Sequence, residues 1–148
     1  MIKKILAAVD FSYCAKEALG RARELARATG AELVLVHAHE LPVVPVGEPS
    51  FLPAYVLEEG VARDKDRFEQ LLKEVQGELV ARGHHEVGPA HEVVSAAIAR
   101  EHPDLVVVGT HGRRAFGRFF LGSFTERLVR TSPVPVLTVH PPTPGSES

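Results

Sequence analysis

The chain has 148 residues, of which 45% are hydrophobic and 24% charged, with a formal net charge of −2 and a pI near 6.4. This balance indicates one globular domain, which buries roughly 68–70% of its unfolded surface without disulfides or metals. The slight negative charge argues against a general nucleic-acid binder, which needs a basic excess. No apolar run approaches the ~20 residues that span a bilayer, so no membrane insertion is expected.

The first third of the sequence predicts a β-α-β unit. Ile2–Val9 is a short aliphatic run that predicts a buried strand, and Asp10-Phe11-Ser12 forms the turn after it. Apolar residues then recur at helical spacing from Ala15, and Gly30 is suited to a left-handed cap at the end of that helix. Ala31–Ala38 is a second aliphatic run and predicts a second buried strand.

Four prolines make Leu41–Tyr55 a loop, because each proline lacks a backbone donor and fixes φ. Helical spacing resumes over Val56–Arg82, and Gly83 is expected to end that helix. The remaining predicted elements are strand His84–Val87, helix Ala90–Glu101 opened by Pro89, strand Asp104–Val108, loop Gly109–Leu121, helix Ser123–Arg130 and strand Pro135–Val139. We expect one domain over residues 1–140 and a flexible tail over 141–148.

Strands that alternate with helices predict an α/β fold with a doubly wound, five-stranded parallel sheet and helices on both faces. In the common strand order 3-2-1-4-5, the order reverses between strands one and four. Ligands bind outside the carboxyl ends of the strands at such a reversal. The segments expected there are Asp10-Phe11-Ser12 and Gly109-Thr110-His111-Gly112.

The segment from Gly109 to Ser123 has the chemistry of a phosphate site. Its glycines let the backbone approach a polyanion, and the helix that starts at Gly122-Ser123 offers unpaired N–H groups and the positive end of its dipole. The spacing and the lysine of a P-loop are missing, and so is the G-x-G-x-x-G fingerprint of dinucleotide-binding folds. Both of those better-known classes are therefore excluded.

The glycine spacing resembles a known family. Gly109, Gly112 and Gly122-Ser123 reproduce the G-x2-G-x9-G-[ST] pattern of the ATP-binding branch of the universal stress proteins. The first strand ending at Asp10, the second ending in Val36-His37-Ala38 and the final Pro133–Leu137 segment extend the resemblance over nearly the whole chain. The resemblance implies an adenine nucleotide alpha hydrolase-like fold and an ATP-binding stress-response protein. The single cysteine, Cys14, cannot form an internal disulfide, so a reducing cytoplasm is the expected location.

The resemblance also implies the site residues and the partners. The residues it places around the adenine, ribose and phosphates are Ala8, Val9, Asp10, Phe11, Ser12, Ala38, Val108, Gly109, Gly112, Gly122, Ser123 and Phe124. A Mg²⁺ or Mn²⁺ ion held by few protein ligands would bridge the phosphates. The last strand, Pro135–Val139, lies at the edge of the sheet, and the family implies that it pairs with its copy in a homodimer.

Structural roles compete with several of these assignments. Ser123-Phe124-Thr125-Glu126 has the spacing of a capping box, and Asp10 is suited to a turn at the end of a strand. Arg113, Arg114 and Arg118 are placed either to neutralise phosphates or to form a solvated face. His37 and His39 share one strand face, but no metal-binding spacing accompanies them, so no protein-ligated metal is predicted.

Three functions remain open at this level. The leading one is a nucleotide-dependent sensor or adaptor without a dedicated catalytic activity, because no nucleophile, base and orienting group stand at separations that argue for hydrolysis. The second is a slow ATPase or a nucleotidyl transferase of related fold. The third is a protein-interaction dimer that binds no nucleotide, against which the intact glycines argue.

Overall fold

The computed structural model describes residues 1–49, 52–111 and 121–142. Its elements in chain order are β1 (Lys4–Ala8), α1 (Tyr13–Thr29), β2 (Glu32–His39), α2 (Ala54–Gln76), β3 (Ala81–Val87), α3 (Ala90–Glu101), β4 (Leu105–Gly109), α4 (Ser123–Thr131) and β5 (Val136–Val139). Within the three described ranges, no helix is both long and apolar enough to cross a membrane. Apart from residues 141 and 142, the predicted tail lies outside the described residues.

All five strands run parallel in one sheet of order β3-β2-β1-β4-β5. This confirms the predicted fold class and strand order. The central strand β1 pairs with β2 on one side, where Leu6 lies opposite Val34, and with β4 on the other, where Leu6 lies opposite Val106. The strand order therefore reverses at β1, and the carboxyl ends of β1 and β4 diverge into opposite crossovers.

The side chains of the central strands alternate between two hydrophobic cores, as the two-residue period of a strand requires. One core lies beneath α1 and α2 and includes Ile5, Leu35 and Val107. The other lies beneath α3 and α4 and includes Leu6 and Val36. Because both faces of the sheet are covered, β1, β2 and β4 are continuous aliphatic runs in the sequence.

The boundary between α2 and β3 corrects the sequence analysis. The helix ends at Gln76, and Gly83 lies inside strand β3 instead of ending the helix. A Cβ at Gly83 would lie only 2.7 Å from Cζ of Phe68, so the glycine is needed where α2 packs on the strand. In the sequence, the apolar spacing typical of a helix continues beyond Gln76 because Leu79, which follows the helix, also packs against the core. Similarly, α2 begins at Ala54, inside the predicted loop.

Two helix ends agree closely with the sequence. Gly30 ends α1 with φ of 73°, and its N–H donates to the carbonyl of Ala26 at 2.8 Å. This is the left-handed cap that a glycine accepts without strain. Helix α3 spans Ala90–Glu101 as predicted, with Pro89 one residue before the first helical position, at the N-cap.

A buried carboxylate joins three elements at the amino-terminal edge of the sheet. Glu101 is 5% exposed, and its carboxylate contacts Arg82 at 2.5 Å, His84 at 2.6 Å and Lys4 at 3.5 Å. Burial alone raises the pKa of Glu101, but the hydrogen bond from His84 and the charges of Arg82, His84 and Lys4 outweigh it and lower the pKa. The ionised carboxylate therefore links the end of α3 to β1 and β3.

We expect Glu101→Gln to lower the free energy of unfolding by about 1–3 kcal/mol, less than for a fully buried pair because its three partners stay partly hydrated. The lowered pKa means that the carboxylate stabilises the fold above the ordinary glutamate value of 4.5 and loses that effect as the pH falls through the folded-state pKa. Urea denaturation at pH 7 and at pH 4 measures both effects.

Glu126→Gln is the matched control, because the one ion pair that Glu126 forms among the described residues is an exposed pair with Arg130 one helical turn away. Its expected cost is about 0.3–0.5 kcal/mol. Equal losses of unfolding free energy in the two variants would contradict the role given to Glu101. So would a loss in Glu101→Gln that is larger at pH 4 than at pH 7.

Candidate functional site

A cavity of about 690 Å³ opens at the carboxyl edge of the sheet, at the reversal between β1 and β4. This volume lies within the range of small-molecule sites. Nine predicted site residues line it: Ala8, Val9, Asp10, Ala38, Val108, Gly109, Gly122, Ser123 and Phe124. The sheet therefore brings together segments that lie more than a hundred residues apart in the chain.

Three predicted site residues are not among those that line this cavity. Gly112 lies outside the described residues, as do Arg113, Arg114 and Arg118. Ser12 instead caps α1: its hydroxyl accepts from the N–H of Ala15 at 3.2 Å. The ring of Phe11 packs toward the core under α1 and α2, with its centroid 4.8 Å from that of His37.

The turn after β1 is held in an unusual backbone conformation. Phe11 has φ of 61°, in the left-handed region that residues other than glycine seldom occupy. Asp10 Oδ1 accepts from the N–H of Ser12 at 2.9 Å, which closes the turn. The guanidinium of Arg67 lies 4.2 Å from the ring centroid of Phe11. Asp10 thus has the turn role that its position suggests, and it also lines the cavity.

All four helices begin on this side of the parallel sheet, and they differ in how their first N–H groups are satisfied. Helix α2 has Pro53 at its N-cap and, within the described ranges, no side-chain cap. Ser12 caps α1, and the carboxylate of Glu40 accepts from the N–H of Ala90 at the start of α3 at 2.7 Å. Helix α4 has Gly122 at its N-cap, and no side chain of the described residues caps it. The first turn of α4 faces the cavity through Ser123, Phe124 and Thr125.

The capping box expected at Ser123 is wrong. Ser123 is the first helical residue and is exposed, while the carboxylate of Glu126 accepts from Arg130 at 2.6 Å instead of reaching back. Gly122 occupies the N-cap position of α4, and its N–H donates to the carbonyl oxygen of Thr110 at 2.7 Å. A Cβ at this position would lie only 3.2 Å from Cα of His111, which favours glycine there. The hydroxyl of Ser123 therefore has no capping function in α4.

Gly109 also has a packing role that the sequence analysis did not detect. A Cβ at this position would lie 2.8 Å from Cβ and 2.9 Å from the carbonyl carbon of Cys14, in the first turn of α1. Thr125 donates to the carbonyl of Gly109 at 2.8 Å and joins α4 to the same strand end. Cys14 is 3% exposed, so its small side chain is part of this packing.

One side of the cavity is formed by polar residues that the sequence analysis did not assign to the site. His37, His39, Glu40 and Asp64 line it. Asp64 comes from α2, and its Oδ2 atom lies 2.5 Å from His37 Nε2 and 3.0 Å from His39 Nδ1. His85 Nε2 of β3 lies 3.1 Å from the same oxygen. No local motif signals this group, because its members come from three elements.

The electrostatics of Asp64 follow from these contacts. Burial by itself raises the pKa of its carboxyl group. Hydrogen bonds from His39 and His85, together with the charge and the hydrogen bond of His37, outweigh that effect and lower the pKa below the ordinary aspartate value. Asp64 is therefore an ionised acceptor at neutral pH, surrounded by three imidazole rings.

Comparison with known proteins agrees with the fold. The model of the Universal stress protein family matches residues 1–140. The chain belongs to the universal stress protein family. A Thermus aquaticus relative, "Universal stress protein in QAH/OAS sulfhydrylase 3'region", is 38% identical to this universal stress protein, with 95% of this chain and 100% of the relative covered.

Two solved universal stress proteins share the fold at lower identity. One, a universal stress protein in complex with cAMP, is 23% identical with a TM-score of 0.66, covering 95% of this chain and 99% of that one. The other, an Arabidopsis thaliana universal stress protein family protein with AMP bound, is 18% identical with a TM-score of 0.64, covering 99% and 96%. At these identities the likeness shows a common fold.

We expect Gly109→Ala to destabilise this universal stress protein by about 1–3 kcal/mol, because the added methyl group meets the backbone of Cys14 and not a side chain that can rotate away. Gly20→Ala is the control. It lies in α1 with no atom within 4 Å of the added Cβ, and should stabilise the fold by about 0.5–1 kcal/mol. Thermal and urea unfolding measure both, and a neutral Gly109→Ala would contradict the packing role.

Proposed function

We propose that this universal stress protein binds ATP in the cavity at the β1/β4 reversal and acts as a nucleotide-dependent sensor or adaptor in the stress response. The observation that carries the proposal is the first turn of α4. Helices α1 and α3 have side-chain caps. Among the described residues neither α2 nor α4 has one, but the first turn of α2 does not line the cavity, whereas α4 has a glycine N-cap and an exposed serine facing it. A helix start of this kind suits a phosphate group.

The rest of the cavity suits the other parts of the nucleotide. Asp10 and Ala38 lie at the ends of β1 and β2, where the adenine and ribose are expected, and a carboxylate accepts from an exocyclic amine or a ribose hydroxyl. Gly109 and Gly122 allow the backbone to lie close to the ligand. A Mg²⁺ or Mn²⁺ ion would bridge the phosphates and be held mainly by them and by water.

The comparisons support a nucleotide as the ligand class. Two proteins of the same family and fold are bound to cAMP and to AMP, respectively. An adenine base and at least one phosphate are common to these two ligands and to ATP. The glycine spacing in the sequence from Gly109 to Gly122 favours the longest phosphate chain of the three, and any hydrolysis of ATP is expected to be slow.

The decisive experiment has two parts. The purified protein is denatured and the supernatant is analysed for released adenine nucleotide, and the nucleotide-free protein is then titrated with ATP, AMP and cAMP by calorimetry with and without Mg²⁺. We expect one site per chain, with ATP bound most tightly. Absence of both released nucleotide and binding heat would refute the proposal. Multiple turnover of ATP would instead favour an ATPase.

Two variants test the site itself. Ser123→Ala should weaken ATP binding about tenfold, the loss expected for a charge-assisted hydrogen bond, without changing stability, because its hydroxyl does not cap α4. Asp10→Asn can keep an acceptor for the N–H of Ser12, but it removes the carboxylate charge and replaces the other oxygen by an NH2 donor. Ser12→Ala is the matched control: it should cost about 1 kcal/mol of stability and little affinity. If Ser123→Ala and Ser12→Ala had the same effect on affinity, the phosphate assignment would be wrong.

The proposed partner is a second copy of the chain, paired through the edge strand β5. Leu137 is 38% exposed, and a groove of about 520 Å³ lies beside it between β5 and α1. Edge strands present an unpaired row of backbone groups that a symmetric copy can satisfy. Pro133 and Pro135 limit the pairing, since neither carries an N–H.

Sedimentation equilibrium of the parent protein should show a dimer, and Leu137→Lys should raise the dimer dissociation constant at least about tenfold by placing a charge in an apolar contact. Val80→Lys is the control, because Val80 is 75% exposed and precedes β3 at the opposite edge. A monomeric parent, or equal dissociation of both variants, would exclude the β5 interface.

A further inference from the structure

The cluster of three histidines around Asp64 is more than the proposed nucleotide site requires. His37 and His39 lie two residues apart on β2, and His85 lies opposite His37 in the register of β2 with β3. All three rings are on the face covered by α2, which carries Asp64. The parallel register and the helix above it therefore bring three imidazoles to a single carboxylate oxygen, with nitrogen-to-oxygen distances of 2.5, 3.0 and 3.1 Å.

The hydrogen bonds of this cluster require protons that a metal ion can replace. The Nδ1 atom of His37 lies 2.5 Å from the carbonyl oxygen of Val9, which only accepts, so Nδ1 is the donor. The Nε2 atom of the same ring then faces the Asp64 carboxylate, which also only accepts. A divalent ion between Nε2 and the carboxylate would take the place of the second proton and leave the bond to Val9 intact.

We propose that His37 Nε2, His85 Nε2 and the Asp64 carboxylate form a binding site for a divalent transition-metal ion, with Zn²⁺ the best match. These ligand atoms lie within 4.8 Å of one another. A tetrahedral Zn²⁺ site with bonds near 2.0 Å separates its ligands by about 3.3 Å, so shifts of around an ångström complete it. Two imidazoles and one carboxylate leave a fourth position open for water or for a ligand in the cavity.

The surroundings of the cluster favour a metal over an adventitious contact. The side chains of His37 and His85 are 4% and 7% exposed, so their rings are fixed before an ion binds. Phe11 packs on His37, and Phe68 packs on His85 with ring centroids 5.8 Å apart. The bond from His37 to the carbonyl of Val9 is the kind of outer contact that orients metal-bound histidines. An ion reaches the site from the cavity, which His37 and Asp64 line.

The other buried histidine–carboxylate contact of the sheet shows why this site is distinct. His84 lies next to His85 but faces α3, where it bonds to Glu101. Lys4 and Arg82 already neutralise that carboxylate, so a cation would meet repulsion there. At Asp64, the described ion-pair partners are all histidines, which can lose their protons to become metal ligands. His84 is therefore the natural control position.

The test uses the untagged, full-length, nucleotide-free protein after chelation and desalting. Zn²⁺ is titrated by calorimetry at pH 7.5 in two buffers of different ionisation enthalpy, and Co²⁺ is titrated by visible absorption. We expect one ion per chain, a heat that depends on the buffer because protons are released, and the intense bands of four-coordinate Co²⁺. Zn²⁺ should also raise the melting temperature, because it binds only the folded chain.

His85→Gln and Asp64→Asn should each lower Zn²⁺ affinity more than about tenfold, whereas His84→Gln should leave it unchanged. Circular dichroism without metal checks that each variant folds. The Zn²⁺ affinity of each ligand variant is compared with that of the parent separately, so one variant that fails to fold leaves the other as a test. No binding by the parent, or affinities in both ligand variants equal to the parent's, would overturn the site. Because no nucleotide is present, neither result bears on ATP binding.

Discussion

The placement of β1 between β2 and β4 is the constraint on which the rest of the structure depends. Its residues Ile5, Leu6 and Ala7 are at most 1% exposed and divide their side chains between the two cores. The chain leaves β1 toward one side of the sheet and returns to its other side only at β4. Because the crossovers diverge there, a cavity must open at that edge, and the ends of both strands face it.

Residues at this edge both hold the backbone in place and line the cavity. Asp10 closes the turn after β1 and lines the cavity, and Gly109 lines it while allowing α1 to pack on β4. The left-handed backbone of Phe11 costs free energy, which the packing of its ring against the core offsets.

The two faces of the sheet also separate two kinds of buried charge. On the α3 face, Glu101 is held by Lys4 and Arg82 as well as by His84, which makes it a fixed ion-pair centre. On the α2 face, Asp64 is surrounded by histidines whose protons can exchange with a metal ion. The adjacent residues His84 and His85 point to these two centres, because successive side chains of a strand alternate between faces.

The sequence by itself determined the fold class, the strand order and most of the cavity, because buried parallel strands are aliphatic runs and ligands lie at their carboxyl ends. Nine predicted site residues line the cavity for this reason. Only the tertiary structure decided that α2 ends at Gln76 and that Glu40, not Ser123, has a capping role. It also decided that Asp64 contacts three histidines. These outcomes depend on contacts between distant segments, which no local spacing encodes.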